Sequence, residues 1–239
     1  MKFAVDLHIH TALSPCGDED MTPNNIVNMA LLKGLDLIAV TDHNCCANLE
    51  AVIDAGRNKG LLVIPGIEVQ SKEEVHLICL FKNLTKACEF GDLIYDSLPN
   101  IANNEELFGK QLIIDASDTV IGKVDKLLLS SSNYSVNEIF KIVRDFDGLC
   151  IPAHIDRPGY SMISNLGFIP NDLEVRIVEV SRKITAENIL SKMAFIKNYK
   201  QVVSSDAHYL WDISERDYFV DMEYLSPSQL FEALQGFKL

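Results

Sequence analysis

Short apolar runs alternate with helix signals along this chain. All six of its histidines fall at the ends of those runs or just beyond them, or within one in the case of His76. Phe3–Ile9 reads as a buried strand. Thr22-Pro23 then offers an N-cap with proline at the first helical position, for a helix that runs to Lys33 and stops at Gly34. Leu35–Val40 is a second strand, and a helix over about Leu49–Asn58 closes at Gly60 before a third strand at Leu61–Val69 and a fourth at Val75–Phe81. Ser135-Val-Asn-Glu138 is a capping box for a helix to about Asp147, followed by a strand at Leu149–Ala153. Val175–Val180, a helix over about Ala186–Tyr199 and Val202–Ser204 continue the alternation, and Ser226-Pro227-Ser228-Gln229 caps a last helix that stops at Gly236.

Repeated β-α units with short connections predict a parallel sheet with helices outside it. About seven strands fit a closed or distorted barrel better than an open doubly wound sheet. The stretch from about 84 to 132 departs from the pattern. It holds one helix signal, then Q-L-I-I-D and V-I-G-K fragments suited to a small hairpin, then a Ser-rich turn. It reads as an insertion within a single domain over 1–239. No glycine-rich nucleotide-binding motif is present.

The chain has 239 residues, 48% of them hydrophobic, enough for one sizeable core. Its 21 basic and 34 acidic residues leave a formal charge of −13. That balance disfavours a nucleic-acid partner, which needs a basic face for its phosphates. A phosphorylated substrate stays compatible, because bound divalent cations reverse the potential inside a pocket. No window approaches the roughly 20 apolar residues of a membrane span, and the N-terminus lacks the apolar stretch of a signal peptide. The six cysteines (Cys16, Cys45, Cys46, Cys79, Cys88, Cys150) form no C-x-x-C pair. They read as reduced thiols of a cytoplasmic chain.

Chemistry concentrates on the histidines. At the strand ends of a βα architecture, side chains far apart in sequence converge. His8 and His10, two apart on one strand, project from the same face and can hold one ion; Asp206 and His208 repeat that spacing. Asp42-His43 follows a strand, and Glu68 in P-G-I-E-V can bridge two cations roughly 4 Å apart. A structural histidine at a strand end is common. Six of six with acidic companions is not, because burying so many titratable groups without cations costs several kcal/mol each.

The motifs D-L-H-I-H-T, T-D-H-N, P-G-I-E-V, the isolated His76, P-A-H-I-D-R-P and S-D-A-H, spread from residue 6 to 208, resemble those of the PHP (polymerase and histidinol phosphatase) superfamily. The resemblance implies a distorted (β/α)7 TIM-like barrel with two or three divalent ions (zinc, manganese or iron) at its C-terminal face. It implies one site of His8, His10, Glu68 and Asp206, a second of Glu68, His76 and His154, and a third of Asp18, His43 and His208. Asp20, Glu19 and Cys16 are the alternatives to Asp18 in that loop. Asp6 and Asp42 read as groups that orient neighbouring imidazoles.

The activity expected from such a site is phosphate-ester hydrolysis by a metal-bridged hydroxide, with His208 or Asp206 passing a proton to the leaving group. Arg157 is the candidate for holding the substrate phosphate. Arg182 and Lys183 are further candidates, and Tyr160 and Tyr209 read as pocket-lining residues. The expected substrate is a small phosphorylated metabolite or a nucleotide. Histidinol-phosphate or protein-tyrosine phosphatase action is the enzymatic alternative, and a non-catalytic metal-stabilised binding module the alternative of another class.

Overall fold

The structure, a computed structural model, describes residues 1–182 and 193–236. Its first elements are strand β1 (Lys2–Ile9), helix α1 (Pro23–Leu32), β2 (Leu37–Val40), α2 (Leu49–Lys59) and β3 (Leu62–Gln70). Next come β4 (His76–Leu80), α3 (Leu84–Ser97), α4 (Glu105–Phe108), β5 (Leu112–Ile114), β6 (Val120–Lys123), α5 (Val136–Asp145) and β7 (Leu149–Pro152). The chain continues through α6 (Met162–Leu166), β8 (Ile177–Ser181), β9 (Lys200–Ser204), β10 (Phe219–Asp221) and α7 (Pro227–Gln235).

The three strands β1-β2-β3 are parallel, as expected of βα units, and almost wholly buried. Helix α2 ends at Gly60, whose φ of +79° is the left-handed stop that glycine takes without strain. The capping box at Ser135 forms, and the Ser226 hydroxyl accepts from the Gln229 N–H at the start of α7. Alternate strand residues point to two apolar layers. Leu37, Ala39, Ile64, Ile78 and Ile151 share one cluster, while Ile38, Val40 and Ile67 pack with Ile26, Val27 and Val52 of the helices in the other.

The fourth strand corrects the all-parallel expectation. β4 runs antiparallel to β3, joined by residues 71–75. A parallel crossover needs roughly a dozen residues or more, and five cannot supply it. β7 is in turn antiparallel to β4, so it regains the direction of β1–β3. β10, which the sequence pattern does not signal, pairs antiparallel with the outer edge of β1. The result is a curled six-stranded sheet, β10-β1-β2-β3-β4-β7, beside a parallel pair β8-β9. A few backbone hydrogen bonds join the two, from Ile155 N–H to the Glu179 carbonyl (2.9 Å), from His10 N–H to the Ala207 carbonyl (2.9 Å) and from Ala207 N–H to the His8 carbonyl (3.3 Å). A closed, all-parallel barrel ladder is therefore not formed among the described residues. Residues 186–192 of the expected helix over about Ala186–Tyr199 lie outside the described residues, as does Lys183; Ala194–Asn198 form a 3-10 turn.

The 84–132 excursion contains α3 and the antiparallel β5-β6 hairpin, as its fragments suggested. Two buried asparagines tie it to the strand ends. The Asn48 amide donates to the Thr11 hydroxyl (2.9 Å) and the Leu112 carbonyl (3.0 Å), while its oxygen accepts from Ile114 N–H (2.9 Å). The Asn44 amide donates to the carbonyls of Leu128 (2.8 Å) and Ser130 (2.9 Å), and its oxygen accepts from Gln70 N–H (3.0 Å). At Gly109, with φ +96°, a Cβ would lie 2.0 Å from the Pro15 carbonyl oxygen, so only glycine lets the excursion press on that loop.

Candidate metal centre

The strand directions bring the histidines to one edge. His8 and His10 stand at the end of β1, His43 just past β2, Glu68 near the end of β3, His154 past β7, and Asp206 and His208 past β9. His76 joins them because β4 is reversed, which puts its first residue at the edge where the parallel strands finish.

Glu68 lies at the centre, 1% exposed. Its Oε1 is 3.4 Å from His8 Nε2, 3.0 Å from His76 Nδ1 and 3.3 Å from His154 Nε2. Its Oε2 is 3.4 Å from His10 Nε2 and 3.0 Å from His43 Nδ1. Asp206 Oδ1 faces His8 Nε2 at 3.2 Å and His10 Nε2 at 3.1 Å, and those two ring nitrogens are themselves 3.1 Å apart. The His208 ring stacks on His10 with centroids 4.3 Å apart.

These contacts exceed what hydrogen bonding can satisfy. One carboxylate cannot align with five imidazoles, and buried His43 Nδ1, Glu68 Oε2 and His154 Nδ1 have no hydrogen-bond partner. Ligand atoms instead gather in three groupings, each within 4.8 Å: His8, His10, Glu68 and Asp206; His43, Glu68 and His76; and His10, His43 and His208. Lone pairs converging on shared points, from imidazoles and carboxylates together, are a donor set that fits zinc, iron or manganese.

Without cations the cluster polarises its own protonation. Burial acts to lower His10 and His43, but Asp206 and Glu68 for the first, and Cys16 and Glu68 for the second, bring each up to about 9. His8 is raised well above its ordinary value too, since Glu179, Asp206 and Glu68 outweigh its burial. Glu68 and Asp206 are held well below the ordinary carboxylate range by the surrounding histidines, although burial works the other way. His208 is lowered to about 4 by burial and by its neighbour His10.

Groups behind the cluster aim it. His8 Nδ1 lies 3.0 and 3.1 Å from the two oxygens of buried Glu179, which also accepts from His154 N–H at 2.9 Å. Glu179 therefore holds His8 with Nε2 facing the cluster, and it fixes the His154 backbone, whose φ of +28° is unusual for a non-glycine residue. His10 Nδ1 meets the Ser14 hydroxyl at 2.9 Å, and that hydroxyl donates to Asp42 at 2.6 Å. Asp42 thus orients an imidazole through Ser14. Asp6 does not touch an imidazole ring. It accepts from the N–H groups of Ser205 (3.0 Å) and Ser214 (2.9 Å), and so anchors the segment that carries Asp206 and His208. Asp206 and Tyr160 also sit at positive φ, +51° and +56°, beside the cluster. Glu179 and Ser14 were not singled out from sequence. An acid inside the apolar run of β8 was the signal for Glu179, while Ser14 had none.

A cavity of about 310 Å³ opens over the cluster, lined by His43, Glu68, His76, His154, Arg157, Pro158, Gly159, Tyr160, Asp206 and His208. The Arg157 guanidinium reaches Asp206 Oδ2 at 2.5 Å with its side chain 38% exposed. Tyr160 stacks on His76 at 4.8 Å. Arg182 is spent on a surface pair with Asp217 (3.0 Å), and Tyr209 stacks on Trp211 outside the cavity lining. Asp18 is not brought into any of the three groupings; its carboxylate accepts from Asp20 N–H at 2.9 Å.

The sequence profile of the PHP domain matches residues 6–153. The chain belongs to the PHP family. An uncharacterized protein from Methanocaldococcus jannaschii is 29% identical over 200 residues, covering 82% of this chain and 21% of that protein. A 3',5'-nucleoside bisphosphate phosphatase of Chromobacterium violaceum is 30% identical over 79 residues, 32% of this chain and 27% of that protein. The chain thus spans well under a third of the length of each of these curated relatives. Among solved structures, a lesion-specific endonuclease from Pyrococcus furiosus superposes with a TM-score of 0.73 at 18% identity, over 100% of this PHP chain and 57% of the other. No helix among the described residues is long and apolar enough to cross a membrane.

Proposed function

We propose that this PHP chain is a metal-dependent hydrolase of phosphate esters, whose substrate is a small phosphorylated metabolite or nucleotide. The observation that carries the proposal is Glu68, with nitrogens of five histidines 3.0–3.4 Å away, at the floor of an open cavity that Arg157 enters. His8, His10, Glu68 and Asp206 would hold one ion, Glu68 with His76 and His154 a second, and His43 and His208, with Asp18 as the loop candidate, a third, the metals being zinc, manganese or iron. The seven strands β1-β2-β3-β4-β7-β8-β9 are read as a distorted (β/α)7 barrel in a single domain over 1–239.

Divalent cations in this centre would supply positive charge to the phosphoryl oxygens and lower the pKa of water. The protein's own groups do the rest. Arg157 pairs with a substrate phosphate in place of Asp206. His208 or Asp206, whichever an ion leaves free, would pass a proton to the leaving oxygen.

Arg157→Ala is expected to raise KM for phosphorylated substrates about 10- to 100-fold, the equivalent of a charge-assisted hydrogen bond of about 1.5–3 kcal/mol, with kcat within a few-fold. Arg157→Lys recovers only part of that, lacking the planar fork. An unchanged KM removes Arg157 from the site. Glu179→Ala is expected to weaken metal affinity about 10- to 100-fold by freeing His8, measured by competition with a chromophoric chelator. Equal affinities in variant and wild type contradict its orienting role.

A second reading, a nuclease, is suggested by the fold shared with 57% of the endonuclease. The expectation of no nucleic-acid substrate, drawn from net charge and a single-domain reading, is not supported by the comparisons, since an endonuclease shares the fold. The test is a panel of nucleoside mono- and bisphosphates, a cyclic diester, and single- and double-stranded oligonucleotides, each with and without chelator. Chelator-sensitive phosphate release from the small esters supports the first reading. Oligonucleotide cleavage without such release supports the second. No turnover of any substrate by fully metal-loaded protein overturns both and leaves a binding module.

A further inference from the structure

The turn after β7 puts a cation and an aromatic face on one wall of the cavity. Arg157 N–H donates to the His154 carbonyl at 2.9 Å, and the Ser161 hydroxyl donates to the Arg157 carbonyl at 2.8 Å, so the turn is closed at both ends. Arg157, Pro158, Gly159 and Tyr160 all line the cavity. Among the described residues, Tyr160 is the only side chain there that offers an organic group a flat apolar surface; the rest of the lining is the cluster itself and the other three residues of the turn.

Tyr160 is held in place by its backbone as well as by its ring. Its carbonyl accepts from His76 N–H at 2.8 Å, and the ring stacks on the His76 imidazole with centroids 4.8 Å apart and planes 24° from parallel. The residue is nonetheless 51% exposed, so with one ring face on His76 the open face is the one turned away from it. A Cβ on Gly159 would meet nothing within 4 Å, which leaves the neighbouring space open. Tyr160 also carries a φ of +56°, a conformation that suits glycine, while the adjacent Gly159 has no positive φ.

Arg157 and Tyr160 flank the cluster from different sides. The guanidinium sits on Asp206, which groups with His8, His10 and Glu68, whereas the ring sits on His76, which groups with His43 and Glu68. A substrate whose phosphate meets Arg157 therefore meets Tyr160 with a part set back from the ester. In a nucleotide the sugar is that spacer and the base a flat face, and any base stacks on an aromatic side chain. An aryl phosphate has its ring directly on the ester oxygen, and a sugar phosphate has no flat face to offer.

We infer that Tyr160 determines specificity at this site, and that the substrate is a nucleotide whose base stacks on the open face of Tyr160 while its phosphate lies at the cluster and Arg157. This rests on the hydrolase reading above and names its substrate class.

The test is steady-state kinetics of the metal-loaded protein on adenosine 5′- and 3′-monophosphate, ribose 5-phosphate and phenyl phosphate. The better adenosine ester is expected to show a KM about 10- to 100-fold below that of ribose 5-phosphate, as one base on an aromatic ring provides. Tyr160→Ala is expected to erase that ratio through KM, with metal content held. Tyr160→Phe keeps the face and is expected to preserve the ratio. Tyr209→Ala is expected to preserve it too, since Tyr209 lies outside the cavity lining. Equal KM values for base-bearing and base-free esters in wild type, or a ratio that survives Tyr160→Ala, overturn the assignment. So does a Tyr160→Ala variant that loses metal and kcat together, because the ring then only braces His76. A lower KM for phenyl phosphate than for either nucleotide overturns the base and its spacer. A single-stranded oligonucleotide preferred over both nucleotides, with the same dependence on Tyr160, supports the stack and places it at a strand end. No turnover of any ester at full metal loading overturns the hydrolase reading and this inference with it.

Discussion

Glu68→Gln is expected to release most of the bound metal and to lower phosphate-ester hydrolysis by more than about 10³-fold, well beyond the roughly 10- to 100-fold cost of losing an orienting group. The reason is its position. Among the described residues, Glu68 is the one acid that faces His8, His10, His43, His76 and His154 together, so its charge is shared by at least two candidate ion positions. Glutamine keeps the volume, which limits the loss of packing, and circular dichroism of the variant separates misfolding from loss of the centre. His10→Ala is expected to behave similarly, because His10 belongs to two of the three groupings. Full metal content and full activity in either variant would sink the assignment.

The second large effect is on pH. In the chelated protein His10 and His43 are raised from 6.5 to about 9. A histidine raised on folding contributes stability that is complete below its unfolded value of 6.5 and is lost as pH rises through about 9. His208 has the opposite sign: its fall to about 4 contributes stability above pH 6.5 that is lost on acidification. Glu68 and Asp206, both depressed, add to that acid sensitivity. The Tm of the chelated protein should therefore be greatest near pH 6.5 and decline toward pH 9.

Metal must displace the protons on His10 and His43, so its affinity should rise across the same interval. Each displaced proton steepens that rise by about tenfold, or about 1.4 kcal/mol, per pH unit. Thermal melts with chelator and with zinc, from pH 5 to 9, read both trends. A chelated Tm that climbs from pH 6.5 to 9, with a metal affinity indifferent to pH, contradicts this electrostatic picture.

Much of this was legible in the chain. The near-continuous apolar runs of β1, β2 and β3 signal buried strands, Ser135 and Glu138 form the capping box they spell, and every histidine reaches the cluster. The reversal of β4 was harder to see, because an apolar run carries no direction. Only the five-residue connection at 71–75 hints at a hairpin. β10 is three residues long with two of them exposed, too little for a periodicity to show. Asp6 reads as an imidazole partner from its place two residues before His8, yet its oxygens serve backbone N–H groups some two hundred residues away. Asn44 and Asn48 look like ordinary loop residues; their buried amides matter only once the excursion folds back on them.

Metal content of the protein purified without chelator tests the centre most directly. Two or three equivalents of zinc, iron or manganese per chain are expected, as the three groupings of ligand atoms require. Substantially less than one equivalent, not recovered on adding these metals back, would mean that the buried histidines serve structure alone, and the hydrolase reading would fall with the centre.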